Sequence, residues 1–411
     1  MAGKDVRMRG FQARSTVDEA LAWVDAHTTP LPSESVSLAE AWGRILAADV
    51  TARVNVPSFV RSAMDGYAVR GEETTGAGAY NPIELRVIGE SFPGRPASVS
   101  VETGTCVRIM TGAPLPAGAD AVLPVEETEV ARDGFIAAIG SVSPEKHVGK
   151  IGEDVAAGQT LLNAGRSLRP QDVGLCAAVG VNEVAVVRRP RVALLVTGNE
   201  LAAAGTPLGP YQIYDSNTDM LRGLVARDGG ALVDVIRLTD DREAIRRALL
   251  ETEADVLLFS GGSSVGAEDH APSLVASEGV LAIHGIAMRP SSPAGMGTVR
   301  DRIVFLLPGN PVSCLCAYDF FAGRAIRRLG GRSADWPYPI ETRVVARKLG
   351  SVVGRVDYAR VRFDDGGEVE PLATSGASIL SSTVRADGFV LIPAESEGYG
   401  PGTTIDVRRY V

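Results

Sequence analysis

The chain has 411 residues and a formal net charge of −9. That length suggests two to four domains rather than one core, and the acidic balance argues against a non-specific nucleic-acid binder. No run approaches the ~18 apolar residues of a membrane span, and residues 1–14 form a polar tail without the apolar core of a signal peptide, so a cytoplasmic protein with neither nucleic-acid nor membrane partners is expected.

Glycine and proline are spread along the chain, which reads as many turns and short strands rather than disorder. Cys106, Cys176, Cys314 and Cys316 are too scattered for a disulfide framework or a zinc pattern. They read as buried small residues in a reduced compartment.

Thr16-Val17-Asp18-Glu19 is a capping box, and it opens a helix carrying Ala20, Leu21, Trp23 and Val24. Ser37-Leu38-Ala39-Glu40 repeats the device before a helix over Ala41 to Ala47. Both helices are too short to stand alone, so each needs a partner outside its own segment. From Asp49 to Lys150 the texture changes to short strands and turns, which predicts a small β domain. Met64 to Val69 reads as a turn entering a strand, with Asp65-Gly66 as ordinary turn chemistry. Cys106 to Met110 is a strand ending in Thr111-Gly112-Ala113-Pro114, and Ala121 to Val125 is another. Gly152-Glu153-Asp154 precedes a further glycine turn. Pro170 sits where a first helical residue would, and Gly180 closes that helix.

Arg191 to Leu329 alternates strand and helix. Three strands in it run into loops of one kind: Val192 to Val196 into Thr197-Gly198-Asn199-Glu200, Val256 to Phe259 into Ser260-Gly261-Gly262-Ser263-Ser264-Val265-Gly266, and Ile303 to Leu307 into Pro308-Gly309-Asn310-Pro311-Val312-Ser313. This order of elements predicts a parallel sheet covered by helices on both faces. In such sheets ligands bind beyond the carboxyl ends of the strands. Helices are expected after Asp215-Ser216-Asn217, after Asp240-Asp241, near Pro272 and from Pro311 to Arg328. Gly330 to Pro339 reads as a linker. Ile340 to Val411 reads as a small β-barrel or sandwich, with a hairpin turn at Asp365-Gly366. The arginine runs at 188–191 and 324–328 read as solvated faces.

The residues at these junctions favour anions and are also acidic. Glycine loops expose N–H donors. Ser260, Ser263, Ser291, Ser292 and Ser313 offer hydroxyls, Arg289 a charge, and Asp154, Glu200, Asp240, Asp241 and Asp269 carboxylates. Oxygen donors suit Mg²⁺ rather than zinc, and Mg²⁺ beside phosphate cradles points to phosphoryl or nucleotidyl chemistry. Plainer readings exist for single residues. Asp215 and Asp240 are good helix caps, Asn310-Pro311 could merely join a strand to a helix, and Glu200 could be a solvated loop charge. Convergence after three strands of one sheet favours a site.

The segments Ser62 to Val69, Arg108 to Pro114, Gly152-Glu153-Asp154, Thr197 to Leu201, Asp215-Ser216-Asn217, Ser260-Gly261-Gly262 with Val265-Gly266, and Leu307 to Ser313 occur in this order. Together they make the chain resemble the molybdopterin molybdenumtransferases of the bacterial MoeA type and the related gephyrin E domain. The resemblance implies an α/β plus β multidomain fold. Its parts are a split helical domain (15–52 and 151–187), an inserted β domain (53–150), an α/β molybdopterin-binding domain (188–330) and a C-terminal β-barrel (340–411). It implies a homodimer, and molybdenum transfer from molybdate to adenylyl-molybdopterin with release of AMP. It also implies contact with the upstream adenylyltransferase and with recipient molybdoenzymes.

The roles that follow from the resemblance are these. Glu200, Asp240, Asp241 and Asp269 handle Mg²⁺ and the pyrophosphate, with Asp154 and Thr111 reaching in from the partner subunit. Ser260, Gly261, Gly262, Asp215, Asn217, Pro308, Gly309 and Asn310 bind the substrate around the pterin phosphate. Arg289, Ser292, Ser313, Arg360 and Ser378 line the molybdate pocket, where arginine and hydroxyl donors suit a tetrahedral dianion.

Three positions depart from the family pattern. Val60 stands where a carboxylate is usual, and Asn199 replaces an aspartate. Arg289-Pro290-Ser291-Ser292-Pro293 replaces Lys-Pro-Gly-Lys-Pro, keeping one cation and losing the other at Ser292. A tungstate-specific paralogue and a non-catalytic molybdopterin-binding carrier or scaffold on the same fold are the alternatives.

Overall fold

A computed structural model describes residues 14–262, 269–373 and 376–410. Most of the expected N-terminal tail, and Ser263 to Gly266 of the central motif, lie outside the described residues. The chain divides into two compact units, one of residues 35–42 and 46–185, the other of the remaining segments.

The larger unit is built on a six-stranded sheet. Its spatial order is Ala231–Leu238, Arg191–Thr197, Val256–Ser260, Arg302–Leu307, Gly295–Val299, Val280–His284. The first four strands are parallel, as expected. The last two are antiparallel, which the sequence reading did not anticipate.

Alternate residues of the central strands feed two cores, because successive side chains point to opposite faces. Val192, Leu194, Val196, Leu258 and Phe305 join Leu221, Val225 and Ile326 on one face. Ala193, Leu195, Leu257, Phe259 and Leu306 join Ile245, Leu249 and Leu274 on the other. Helices therefore cover both faces. The helix that starts at Pro311 is not uniform. Pro311–Ala317 and Gly323–Leu329 are α-helical, and Tyr318–Ala322 between them is a π-helical turn.

The helix Val17–His27 opens with the expected capping box. The Glu19 amide donates to Thr16 Oγ1 at 3.1 Å, and the Thr16 amide donates to Glu19 Oε2 at 2.8 Å. Its buried Ala20 and Val24 belong to the α/β core, and Arg324 grips Asp25 through two bonds of 2.7 and 2.8 Å. This helix therefore lies in the α/β unit, while the helix Pro170–Ala178 lies in the other unit. The grouping of 15–52 with 151–187 did not separate them.

The arginines of 324–328 are not a solvated face. Arg327 is 4% exposed and donates to Asp228, and Arg328 donates to Thr28. Arg188 is likewise paired, bidentate, with Asp255.

The C-terminal segment forms a second sheet of this unit. Its order is Met288–Arg289, Val356–Phe363, Gly388–Ile392, Thr404–Arg409, Ile340–Val344, with Val369–Ala373 paired to Val356–Phe363. Val345 bridges Val369. Phe389 stacks on Tyr358 at 4.1 Å, and from the expected linker Trp336 packs at a tilt and Tyr338 edge-on against Phe389. That segment is thus part of the core rather than a free connection.

The smaller unit holds a six-stranded sheet in the order Ala121–Pro124, Gly66–Val69, Thr105–Ile109, Ile83–Ser91, Phe135–Ala138, Thr128–Arg132. The helix expected over Ala41 to Ala47 is replaced by a single turn, Leu38–Ala41. Ser37 Oγ donates to the Glu40 side chain rather than capping the backbone, and Gly43, with a φ of +72°, turns the chain away. Among the described residues no helix is long and apolar enough to cross a membrane. All four cysteines are free and buried. Burial pushes the Cys106 and Cys314 thiols up to about 12, so neither is a nucleophile near neutrality.

Candidate functional site

Strand Arg191–Thr197 has the Ala231 strand on one side and the Val256 strand on the other, so the sheet order reverses there. Such a switch point leaves a crevice beyond the strands' carboxyl ends. A cavity of about 590 Å³ occupies that position.

Its floor is made by glycine loops. Gly261 has a φ of +91°, and a Cβ there would stand 2.3 Å from the Thr197 carbonyl oxygen. Gly262 also lies against Thr197, and Gly309 packs on Gly261. Asn217, at the start of the helix Asn217–Arg227, ties two of the loops together. Its Nδ2 donates to Ser260 Oγ at 3.0 Å and to the Gly309 carbonyl at 2.8 Å. Asn217 Oδ1 and Thr197 Oγ1 are buried without a hydrogen-bond partner among the described residues. Buried polar atoms of that kind are normally satisfied, so a water or a polar ligand has unfilled hydrogen-bonding positions to take on this floor.

The carboxylates fall into two groups. Glu200, Asp240 and Asp269 line the cavity. Asp240 accepts the Asn199 amide at 3.1 Å, and Asn199 Oδ1 accepts the Asp240 amide at 3.3 Å. An aspartate at 199 would add a like charge beside Asp240, so Asn199 lowers the repulsion at this wall.

Asp241 and Asp215 are helix caps. Asp241 accepts the Ala244 amide at 2.7 Å. Asp215 borders the cavity, but its oxygens take the amide and hydroxyl of Thr218. Asn310, Pro308 and Ser378 also line the cavity. Among the described residues no group of three or more His, Cys, Asp or Glu is arranged to hold a metal ion.

A second cavity, of about 780 Å³, shares Pro293, Pro308 and Asn310 with the first. It is lined by Arg289, Ser291, Ser292 and Ser313, and by two cations the sequence reading missed, Arg14 and Arg355. Arg355 precedes the buried strand Val356–Phe363 by one residue. Only the pairing of that strand with Met288–Arg289 reveals its place. Ser292 Oγ and Arg289 Nε are buried without a hydrogen-bond partner among the described residues.

Arg360 is not among the residues lining either cavity. It is 1% exposed, beside Tyr410, Tyr358 and Cys316, and burial lowers its pKa.

Thr111 and Asp154 belong to the other unit. The Thr111 amide and hydroxyl both donate to Asp65 Oδ1 at 2.7 Å, which holds the Asp65 carboxyl below its usual range. Asp65 therefore ties its turn to the loop that carries Thr111. Asp154 is exposed and follows Lys150 and Glu153, and the Glu153 side chain accepts the Lys150 amide at 2.9 Å.

The parallel sheet, the glycine floor and the carboxylate wall make an α/β unit with a cavity beyond its strand ends and an adjoining arginine-lined pocket. Residues 15–180 match the MoeA N-terminal region (domain I and II), residues 193–328 the probable molybdopterin binding domain, and residues 342–409 the MoeA C-terminal region (domain IV). Molybdopterin molybdenumtransferase 2 of Mycobacterium tuberculosis is 38% identical, covering 91% of this chain and 94% of that protein. The molybdopterin molybdenumtransferase of Haemophilus influenzae is 33% identical, covering 97% and 98%. A crystal structure of the molybdopterin biosynthesis MoeA protein from Pyrococcus horikoshii aligns at a TM-score of 0.76 with 30% identity, covering 97% of this chain and all of that one. The chain belongs to the molybdopterin molybdenumtransferase family.

Proposed function

We propose that this chain transfers molybdenum from molybdate to adenylylated molybdopterin, cleaving the phosphoanhydride and releasing AMP. The observation that carries this is the adjacency of two unlike cavities. One offers backbone donors and carboxylates to a diphosphate, the other guanidiniums and hydroxyls to a tetrahedral oxyanion, and they meet at Pro308 and Asn310.

The Ser260-Gly261-Gly262 loop and Asn310 hold the pterin phosphate, with Asn217 fixing the spacing of the two loops. Glu200, Asp240 and Asp269 face the phosphoanhydride. Mg²⁺ needs only one or two carboxylates when phosphates supply other ligands, and the wall of Glu200 and Asp240 fits that demand without an all-protein cage. When bound, Mg²⁺ neutralises the charge that develops on the phosphate oxygens.

Arg289, Ser292, Ser313 and Arg355 orient molybdate. The working enzyme is a homodimer, and the partner subunit's Asp154 and the partner subunit's Thr111 complete the cleft. The bridge between Val345 and Val369 supports closure of the C-terminal sheet into a barrel.

The test is substitution at the carboxylate wall. Glu200→Gln and Asp269→Asn are expected to lower AMP release by at least about 100-fold while nucleotide binding and melting temperature hold. Turnover retained in both variants would remove the carboxylates from the reaction.

A further inference from the structure

The arginine-lined pocket has an uneven charge balance. Arg14, Arg289 and Arg355 border it, and no carboxylate does among the described residues. One acid lies behind its wall. Asp357 is fully buried and receives Arg289 Nη2, Arg355 Nε at 3.1 Å and Ser351 Oγ at 2.8 Å. Three guanidiniums against one carboxylate leave two positive charges unmatched. Asp357 is shared by Arg289 and Arg355, so it fixes both and offsets part of their field. Arg14 contributes a charge that Asp357 does not touch.

Arg14 owes its position to its neighbour. The Ser15 amide donates to the Gly285 carbonyl at 3.0 Å, and the Ser15 carbonyl accepts the Ala287 amide at 2.8 Å. Ala287 in turn accepts the Val356 amide at 3.0 Å. The segment 285–289 is thus held between residue 15 on one side and the Val356 strand on the other. Thr16 then caps the helix that follows. The strap sets Arg14 at the pocket with its side chain exposed.

We infer that Arg14 is an oxyanion-binding residue, which supplies from the N-terminal segment a third guanidinium to a pocket where Ser292 carries no charge. This rests on the reading of the pocket as the molybdate site. The ligand class is a tetrahedral dianion, whose charge equals the unmatched pair. An exposed guanidinium acts on such a ligand mainly through its field, which salt screens, so Arg14 contributes affinity and salt dependence rather than chemistry.

Calorimetric titration of the full chain with molybdate, and separately with inorganic phosphate, tests this. Wild type, Arg14→Gln, Arg14→Lys and Arg289→Gln are compared at two ionic strengths. Arg14→Gln is expected to weaken molybdate binding about threefold to tenfold and to flatten its salt dependence, with the melting temperature unchanged. Arg14→Lys is expected to bind nearly as wild type. Molybdate binding and salt dependence untouched in Arg14→Gln, while Arg289→Gln binds weakly, would overturn the role of Arg14 and leave the pocket standing. Loss of phosphate binding alone would move Arg14 to the phosphate end and overturn it too. A wild type that binds no molybdate would remove the pocket reading and this inference with it.

Discussion

At the cavity floor a single hydrogen atom decides the shape of the site. Gly261 faces the Thr197 carbonyl so closely that any side chain must push the loop away from the strand. Gly261→Ala is therefore expected to lower substrate affinity at least about tenfold, because a shift of the order of 1 Å misplaces the donors. Titration with the adenylylated pterin checks this, and unchanged affinity would show that the loop does not hold the phosphate.

The same scale shows what a sequence can and cannot say about a residue. The place of Ser260-Gly261-Gly262 and Asn310 on the cavity was legible, because both loops follow continuous apolar runs that could be read as buried strands. Asp240 and Asp241 were not separable on paper. They are adjacent acids, and only the helix geometry gives Asp241 to the Ala244 amide and leaves Asp240 on the cavity wall. The resemblance implies a molybdate-pocket role for Arg360, and two residues after Tyr358 it shares the face that packs inward.

Among elements, the helix Val17–His27 shows the reach of local signals. Its start was readable to the residue, since both bonds of the Thr16 and Glu19 box form. Thr16→Ala removes a cap and is expected to cost about 1 kcal/mol, measured as a lower urea midpoint at constant slope. No loss would mean that the helix is fixed by its packing alone.

What the helix packs on was not readable. Its partners Arg324 and Arg328 lie about three hundred residues later, and in sequence they look like a solvated basic run. The segment 330–339 failed in the same way. Turn residues suggested a linker, yet Trp336 and Tyr338 anchor it against Phe389. The central strands were easier to read, because buried parallel strands are continuous apolar runs.

For the whole molecule, alternation of strand and helix from 191 to 329 made the sheet readable, and the sheet's order of strands accounts for the place of the cavity. The two antiparallel strands at its edge, Gly295–Val299 and Val280–His284, escaped because they carry Gly295, Gly297 and Ala282, which weaken a strand signal. The arginine pocket was half legible. Arg289 and Ser313 were visible as motif residues, whereas Arg14 and Arg355 come from remote segments that meet only in three dimensions.

Anaerobic turnover of the purified chain with adenylylated molybdopterin and Mg²⁺, following AMP with and without molybdate, tests the transferase reading most directly. AMP release that requires molybdate and saturates with it is the expected result. Tight binding of the adenylylated pterin with no AMP released at any molybdate concentration would contradict it.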